Sequence, residues 1–332
     1  MPGWAIGMDE KERWESGMDK KILILSQTTK DDYALMEWEK NGVDTDITLK
    51  DCNRVLRAIR RLWIKFHLPL QHVWYGDWTK RIADYDMILI HGTWLAEDIP
   101  HWLRKKAQKE NPDLKIIWWY WNHVVDADHP DRVSEEDCEK WSFDQKDCQT
   151  YHMNYNTQYY FRSYKVPQDL PAPSDIYYLG TEGGRLPFLM GLHRQFTAMD
   201  LKTDFNIFVT DPSKIQKGKE DCFITKKMDY QDNLRHIGAC KAVLEILREG
   251  QSGQTLRPLE CLFHQRKLIT NDRSIDGMIY YHPDNIFILE KDDIETLPAF
   301  LEKPFVPIPE HVVNIYESQS WLERFYLESG EG

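Results

Sequence analysis

Short apolar runs alternate with amphipathic stretches along the chain from Met18 onward. Residues 21–26 (KILILS), 86–90 (DMILI) and 114–121 (LKIIWWYW) are almost continuously apolar. Such runs are typical of strands that a parallel sheet buries on both faces. Helical spacing of apolar residues falls between them, over 51–67 and from about residue 101 to 109. This alternation predicts βαβ units.

The helix predicted over residues 51–67 has a clear apolar face. Val55, Ile59, Leu62 and Phe66 fall on one side, with Arg and Lys between them. We interpret it as an ordinary helix of the α/β pattern. On the sequence alone, no stretch is assigned as a basic amphipathic helix that would bind a membrane surface.

The alternation weakens over residues 125–173, which are polar, aromatic and rich in turn formers, and we interpret this stretch as the end of a first domain and a linker. It then restarts. Strands are predicted over 175–179, 205–210, 267–270 and 285–289, and helices over 186–199 and 230–237. Residues 242–247 (AVLEIL) fit either helical spacing or a short buried strand, and we favour the strand. A late amphipathic helix is predicted over 311–328, with packing residues Val312, Ile315, Trp321, Leu322 and Phe325.

The fold class predicted is α/β, with two Rossmann-like domains facing a cleft and a C-terminal helix that returns across their interface. The predicted divisions are a polar N-terminal extension over 1–17, a first domain over 18–165, a second over 166–310 and a bridging helix over 311–332. A chain of 332 residues suits two domains better than one core.

Composition excludes some classes of protein. The net charge of −12 argues against a general nucleic-acid binder, which needs a basic surface. No run approaches the ~18 apolar residues of a transmembrane helix, and acidic residues stand where a signal peptide would have its apolar core. The six cysteines include no CxxC pair, so we expect reduced thiols in a cytoplasmic protein.

The segment 250–260 (GQSGQTLRPLE) carries the clearest candidate chemistry. Its glycine-containing loop, with Gln251 and Gly253, leads into a helix for which Thr255 is a plausible N-cap. A helix N-terminus binds anions such as a diphosphate. Arg257 could grip phosphate oxygens, and Glu260, one turn on, could accept hydrogen bonds from hydroxyls. The alternative is an ordinary capped helix with a surface Arg–Glu pair.

A second candidate loop covers residues 180–185 (GTEGGR). Gly180 and Gly184 would let the backbone approach a ligand closely, and Arg185 adds charge at the start of the next helix. The alternative is a flexible strand–helix turn. The loop lacks the GxGxxG spacing, so no dinucleotide fingerprint is predicted.

Histidine supplies the candidate base. His91 ends a predicted buried strand and could act as a general base near neutral pH. A structural histidine is the alternative, and His123 carries the same hypothesis with less support. The DxD patterns at 44–46 and 126–128 are expected by chance in an acidic chain, so no metal site is predicted.

Several motifs together resemble bacterial glycosyltransferases of polysaccharide and lipopolysaccharide biosynthesis with the GT-B fold. They are FDQKDCQTYHMNYN (143–156), LGTEGGR (179–185), YQDNLRHIGACKAVLEI (230–246), GQSGQTLRPLE (250–260), KLITND (267–272) and NIFIL (285–289). The resemblance implies an acceptor-binding first domain and a second domain that binds the nucleotide sugar. It assigns Arg185, Thr255, Arg257 and Glu260 to the donor side. The other substrate-binding residues that we predict are Gly180, Gly184, Gln251, Gly253 and Asn271. One departure is Gly183, where the resemblance leads us to expect a basic residue.

The resemblance implies a metal-independent, hexosyltransferase-type enzyme that moves a sugar from a nucleotide diphosphate-sugar to a glycan or lipid-linked acceptor. It implies no cofactor beyond that donor, and peripheral contact with the inner face of the membrane if the acceptor is lipid-linked. Two alternatives stay open: a sugar-nucleotide epimerase or hydrolase of the same fold, and a catalytically silent glycan-binding partner subunit. Donor sugar, linkage, stereochemistry and oligomeric state are not predicted.

Overall fold

Two parallel β-sheets of six strands each form the framework of the chain. The structure is a computed structural model that describes residues 20–27, 33–166, 174–215, 217–248 and 254–326. Contacts divide the chain into two compact units, Met1–Thr157 with Leu322–Gly332, and Gln158–Trp321. The α/β class predicted from the sequence is therefore confirmed. The predicted extension over 1–17 lies outside the described residues.

The first sheet has the strand order β2-β1-β3-β4-β5-β6, with every neighbouring pair parallel. Its strands are β1 (Ile22–Ser26), β2 (Asp44–Ile47), β3 (Met87–His91), β4 (Lys115–Tyr120), β5 (Glu139–Ser142) and β6 (Asn154–Tyr155). The helices of this unit are α1 (Tyr33–Lys40), α2 (Arg54–Lys65), α3 (Ile99–Glu110) and α4 (Gln145–Tyr151). Helix α3 illustrates why these segments form helices with one buried side. Its residues Ile99, Leu103 and Ala107 recur at helical spacing, and all three are buried.

The second sheet has the order β12-β11-β10-β7-β8-β9, again all parallel. Its strands are β7 (Ser174–Thr181), β8 (Thr203–Phe208), β9 (Phe223–Ile224), β10 (Cys240–Glu245), β11 (Lys267–Thr270) and β12 (Ile286–Ile288). Its helices are α5 (Leu186–Ala198), α6 (Tyr230–Gly238), α7 (Leu256–His264), α8 (Leu297–Glu302), α9 (Glu310–Asn314) and α10 (Ser318–Glu323). Strand order reverses between β7 and β10, which makes the carboxyl ends of these two strands a topological switch point.

Most of the predicted strands and helices are confirmed, including a strand rather than a helix at β10. The contact boundary after Thr157 falls inside residues 125–173, which we interpreted as the end of the first domain and a linker, but much of that stretch is not a linker. That stretch contains β5, α4 and β6, which complete the first sheet. These strands are only four and two residues long and carry polar side chains such as Lys140, so no apolar run marks them.

The late helix predicted over 311–328 is wrong as a single element, because α9 and α10 are separate. A parallel bridge joins Tyr160 to Glu317 at the break. The Tyr160 N–H donates to the Tyr316 carbonyl at 2.7 Å, and the Ser318 N–H donates to the Tyr160 carbonyl at 2.9 Å. This pairing uses backbone groups that a continuous helix would need.

The last described residues group with the first unit. Phe325 packs edge-on against Trp141, with ring centroids 5.0 Å apart, and Arg324 donates to Asn156 and Thr157 at 2.7 Å each. The contact boundary after Thr157 lies earlier in the chain than the boundary we predicted after residue 165.

Helix α2 departs from the α/β pattern. Asn53 caps it by accepting from the Leu56 N–H at 3.0 Å, but only Arg60 and Ile64 of its residues are buried. The apolar face predicted from Val55, Ile59, Leu62 and Phe66 is solvent-exposed. Across the described ranges, no helix is both long and apolar enough to cross a membrane.

The orientation of α2 can be tested with two isoleucines on the same helix. Ile64 is 4% exposed and Ile59 is 44% exposed. We expect Ile64→Ala to lower the free energy of unfolding by about 2–5 kcal/mol, because it leaves a cavity. We expect Ile59→Ala to change it by no more than about 0.5 kcal/mol. Urea unfolding of both variants measures the difference, and equal costs would contradict the orientation described.

Candidate functional site

The candidate donor site lies at the carboxyl edge of the second sheet, where the strand order reverses. Three segments meet there: the loop after β7, the chain that follows β10, and the N-terminus of α7. Ligands of open α/β sheets bind at such switch points. All three segments belong to the second unit.

The N-terminus of α7 is capped as the sequence predicts. The Thr255 hydroxyl oxygen accepts from the Arg257 N–H at 3.2 Å, and the same hydroxyl donates to Glu245 at the end of β10. Gln254 donates to the Tyr280 hydroxyl at 2.9 Å. A helix N-terminus carries partial positive charge, which favours an anion. The predicted loop residues Gln251 and Gly253 lie outside the described residues.

Glu245 is a buried carboxyl that sequence reasoning did not single out. It also accepts from the Thr270 hydroxyl at 2.6 Å, and burial raises its pKa. Its carboxyl group thus joins the end of β10 to β11 and to the start of α7. The feature of the sequence that could have indicated Glu245 is its place as a single glutamate at the end of an apolar run.

Arg257 and Glu260 form a buried pair, which differs from both interpretations made from the sequence. Arg257 donates to Glu260, to the Asn233 side-chain oxygen at 3.2 Å and to the Leu179 carbonyl at 3.2 Å. The other Glu260 oxygen accepts from the Asn233 amide at 3.0 Å, and Glu260 is only 1% exposed. The pair is therefore not on the surface. Each Glu260 oxygen already accepts a hydrogen bond and the carboxylate is buried, so this arrangement does not favour its predicted role with donor hydroxyls.

The loop after β7 depends on its glycines. Gly183 and Gly184 have φ values of 47° and 81°, in the region where side chains are strained. A Cβ on Gly180 would lie 2.6 Å from the Tyr178 hydroxyl oxygen. Arg185 ends the loop and donates to the Thr181 carbonyl at 2.7 Å and to the Ile246 carbonyl. Arg185 therefore ties the ends of β7 and β10 together.

Arg248 places a positive charge beside Gly183, the position at which the resemblance led us to expect a basic residue. The position of a Cβ on Gly183 lies 3.3–3.5 Å from the Arg248 guanidinium, which also donates to the Thr181 hydroxyl at 3.1 Å. The basic residue expected at position 183 is thus replaced in space by Arg248 from the β10 side. Sequence reasoning missed it because the two positions are far apart in the chain.

Three arginines donate hydrogen bonds to the end of β7, Arg185 and Arg248 to Thr181 and Arg257 to the Leu179 carbonyl. Burial raises the pKa of Tyr178, and the positive charges of Arg185, Arg257 and Arg248 all act to lower it. The Tyr178 hydroxyl has no hydrogen-bond partner among the described residues. Converging cations beside two helix N-termini are suited to a multiply charged anion. Asn271 lies at the same edge, where its side chain accepts from the Leu247 N–H at 2.7 Å and holds the chain after β10.

His91 ends β3 in the first unit, but it is poorly placed to accept a proton. Its Nε2 is buried without a hydrogen-bond partner in the described part of the chain, and burial lowers its pKa to about 4. Its ring stacks on Trp121, with centroids 6.3 Å apart. These contacts match the structural alternative for His91 better than the role of first candidate base.

His123 has the geometry that His91 lacks. Its Nδ1 lies 2.8 Å from the Asp144 carboxylate, and its side chain is 28% exposed. Asp144 is 3% exposed, and its other oxygen caps α4 by accepting from the N–H groups of Lys146 and Asp147. A buried carboxylate that fixes one ring nitrogen orients the other nitrogen for proton transfer. Asp144 was not predicted, because its partner is 21 positions away in sequence.

The ligand atoms of His123, Asp144 and Asp147 lie within 4.8 Å of one another, as metal ligands would. Each group already has a structural hydrogen bond, since Asp147 accepts from the Val124 N–H at 2.9 Å. These hydrogen bonds hold the two carboxylates in place, and Asp144 in turn orients the His123 ring.

No protein-family model and no curated protein matches the sequence. Among solved structures, the chain is similar to a sucrose-phosphate synthase from Thermosynechococcus elongatus, with a TM-score of 0.57 and 11% identity over 92% of this chain and 98% of that one. A UDP-N-acetylglucosamine 2-epimerase matches with a TM-score of 0.46, 10% identity, and coverage of 92% and 94%. A glycotransferase of kitacinnamycin matches with 0.42, 12% identity, and coverage of 92% and 93%. At these identities the first match shows the fold alone, and the other two are too distant to add to it.

The buried pair can be tested against a matched surface pair. Glu260→Gln leaves Arg257 buried without its counter-charge, so we expect it to lower the free energy of unfolding by about 3–5 kcal/mol. Asp232→Asn removes the partner of Arg235 in an exposed pair of the same spacing, so we expect less than about 1 kcal/mol. Chemical denaturation compares the two, and similar costs would show that Glu260 is not the buried anchor described.

The environment of His91 predicts a pH dependence of stability. Its folded pKa, about 4, lies below the ~6.5 of an unfolded histidine. The unfolded chain therefore binds a proton first, and the free energy of unfolding falls as the pH falls from about 6.5 to about 4. We expect His91→Phe to reduce the loss between pH 7 and pH 5 by on the order of 1–2 kcal/mol. Urea titrations at both pH values measure this, and an unchanged loss would contradict burial of Nε2.

Proposed function

We propose that this protein is a glycosyltransferase that transfers a sugar from a nucleotide diphosphate-sugar to an acceptor hydroxyl. The observation that carries this proposal is that Arg185, Arg248 and Arg257 all donate to groups at the end of β7, at the switch point of the second sheet and beside the N-termini of α5 and α7. A diphosphate is the common ligand that such a site would hold. The proposal is compatible with the fold, which is similar to that of a sucrose-phosphate synthase.

In this proposal some residues at the switch point bind the diphosphate, and others hold the surrounding backbone in place. Arg185, Arg248 and the backbone around Gly180, Gly184, Gln251 and Gly253 bind the diphosphate. Arg257 contributes charge while its contacts with Glu260 fix α7, and Thr255 and Asn271 hold the surrounding backbone. Positive charge placed where the leaving diphosphate gains negative charge lowers the barrier without a metal.

We assign the acceptor-side base to His123. Its Nε2 would take the proton of the acceptor hydroxyl while the acceptor oxygen bonds to the anomeric carbon. The bond from that carbon to the diphosphate oxygen breaks, and the nucleotide diphosphate leaves with the electron pair. Asp144 holds the ring and stabilises the imidazolium that forms.

The finer parts of the proposal concern the biological setting. We propose a glycan or lipid-linked acceptor in the synthesis of a bacterial cell-surface polysaccharide or lipopolysaccharide, and a cytoplasmic protein that works at the inner face of a membrane. Product formation from a donor without an acceptor would instead indicate the epimerase or hydrolase alternative. Donor binding without any turnover would indicate a silent partner subunit.

Nucleotide binding is the direct test. We expect one or more of UDP, GDP, ADP and TDP to raise the melting temperature, because a ligand that binds only the folded state stabilises it. Arg248→Gln should weaken that nucleotide by about tenfold or more, since it removes a charge-assisted contact. Arg235→Gln, on exposed α6, is the matched control and should bind normally. Equal affinity in the two variants, or no response to any of these nucleotides, would overturn the donor site.

Turnover tests the base separately. With a donor and an acceptor in hand, we expect His123→Gln to lower kcat by about 10²–10⁴-fold while nucleotide affinity stays unchanged. His91→Phe is the control and should keep most of the activity. If His91→Phe is inactive and His123→Gln is active, the assignment of the base reverts to His91.

A further inference from the structure

An apolar surface is exposed on the first unit around helix α2. Among the described residues, eight of the fourteen large hydrophobic side chains that are exposed lie between positions 55 and 73. The eight are Val55, Leu56, Ile59, Leu62, Phe66, Leu68, Leu70 and Val73. We call this set the α2 patch. Contiguous exposed apolar surface of this kind marks an interaction site rather than chance exposure.

The helix presents the patch along one side. At 100° per residue, Val55, Ile59, Leu62 and Phe66 fall within an arc of roughly 60°. Arg60 and Ile64 lie on a different side and anchor the helix, with Arg60 donating to the Lys50 carbonyl at 2.5 Å. The apolar side therefore points away from the packed side, and the helix is held in a fixed orientation.

The segment that carries the patch is basic, although Asp51, just before it, pairs with Arg57 at 3.5 Å. Residues 53–76 contain four arginines and one lysine and no aspartate or glutamate, in a chain whose net charge is −12. Arg54, Arg57, Arg61 and Lys65 are all exposed. On the helical wheel these four occupy a side separate from the apolar one. An apolar side with a basic side is the pattern of helices that lie in the interface of an anionic bilayer.

Charge decides between the occupants that could cover this patch. A second copy of the chain would bring two basic helices together, and like charges oppose that contact. A bilayer with anionic headgroups offers the opposite charge to Arg54, Arg57, Arg61 and Lys65, and an apolar layer to the patch. Leu68, Leu70 and Val73 extend the apolar surface beyond the helix, as contact with a broad surface requires.

We propose that α2 and the segment up to Val73 dock the protein on a bilayer that contains anionic lipids, with the α2 patch inserted at the level of the headgroups. From the sequence we assigned no basic amphipathic helix that would bind a membrane surface. In this proposal α2 is such a helix. The sequence shows the apolar and basic sides of this helix, but only the fold shows that the apolar side is left uncovered. Docking does not depend on the proposed sugar transfer.

Co-sedimentation of the full chain with vesicles tests the proposal. We expect binding to vesicles of phosphatidylcholine with 30% phosphatidylglycerol, and little binding to phosphatidylcholine alone. Raising the salt from 0.1 M to 0.5 M should weaken binding, because it shortens the distance over which charges act. Arg57→Gln and Arg61→Gln should each weaken it by about fivefold. Leu62→Ser/Phe66→Ser should weaken it by at least about tenfold.

Matched controls separate docking from general stickiness. Met36→Ser/Ile279→Ser removes two exposed apolar side chains outside the patch, and Arg273→Gln removes an exposed charge elsewhere, so these variants should bind as the wild type does. Melting temperature checks that every variant is folded, and nucleotide binding reports the donor site independently.

Three results would overturn the proposal. The first is equal binding of wild type and Leu62→Ser/Phe66→Ser to the anionic vesicles. The second is equal binding to vesicles with and without phosphatidylglycerol. The third is no vesicle binding together with a dimer that Leu62→Ser/Phe66→Ser converts to a monomer, which would make the patch an interface between copies.

Discussion

The buried ion pair between Arg257 and Glu260 is the interaction on which the second unit's candidate site depends. It joins α7 to Asn233 of α6 and to the Leu179 carbonyl of β7, so one charged network fixes three elements around the switch point. Two charges inside a protein are costly unless they are paired and hydrogen-bonded. Here Asn233 bonds to both groups, and this fixes the start of α7 beside the loop after β7.

The other two arginines of the candidate site contact the ends of strands. Arg185 and Arg248 bond to groups at the ends of β7 and β10. They place positive charge at the switch point, where open α/β sheets bind their ligands. Glycines in the loop after β7 keep that backbone free of side chains. The site is thus a rigid frame with concentrated charge, which is the arrangement that stabilises charge developing on a leaving group.

The first unit contains two features that are separate from the candidate site of the second unit. His123 and Asp144 form an oriented pair at the carboxyl side of β4 and β5, and α2 presents an apolar side with basic neighbours to solvent. An enzyme that works on acceptors at a membrane surface would need both a base for the acceptor and a means of staying at that surface. The two features are separate on the chain and can be removed one at a time.

The α/β alternation, most of the long buried strands and the cap at Thr255 could be predicted from the amino-acid sequence alone. Those features are local, because an apolar run or a hydroxyl before a helix acts within a few residues. The sequence did not show β5 and β6, whose pairing depends on a neighbouring strand rather than on their own apolar content. The fold brings Glu260 into the interior, Arg248 beside Gly183 and Asp144 beside His123. It also leaves the apolar side of α2 uncovered. Each of these is a relation between residues distant in the chain, and burial and charge pairing are set by what the fold brings next to a side chain.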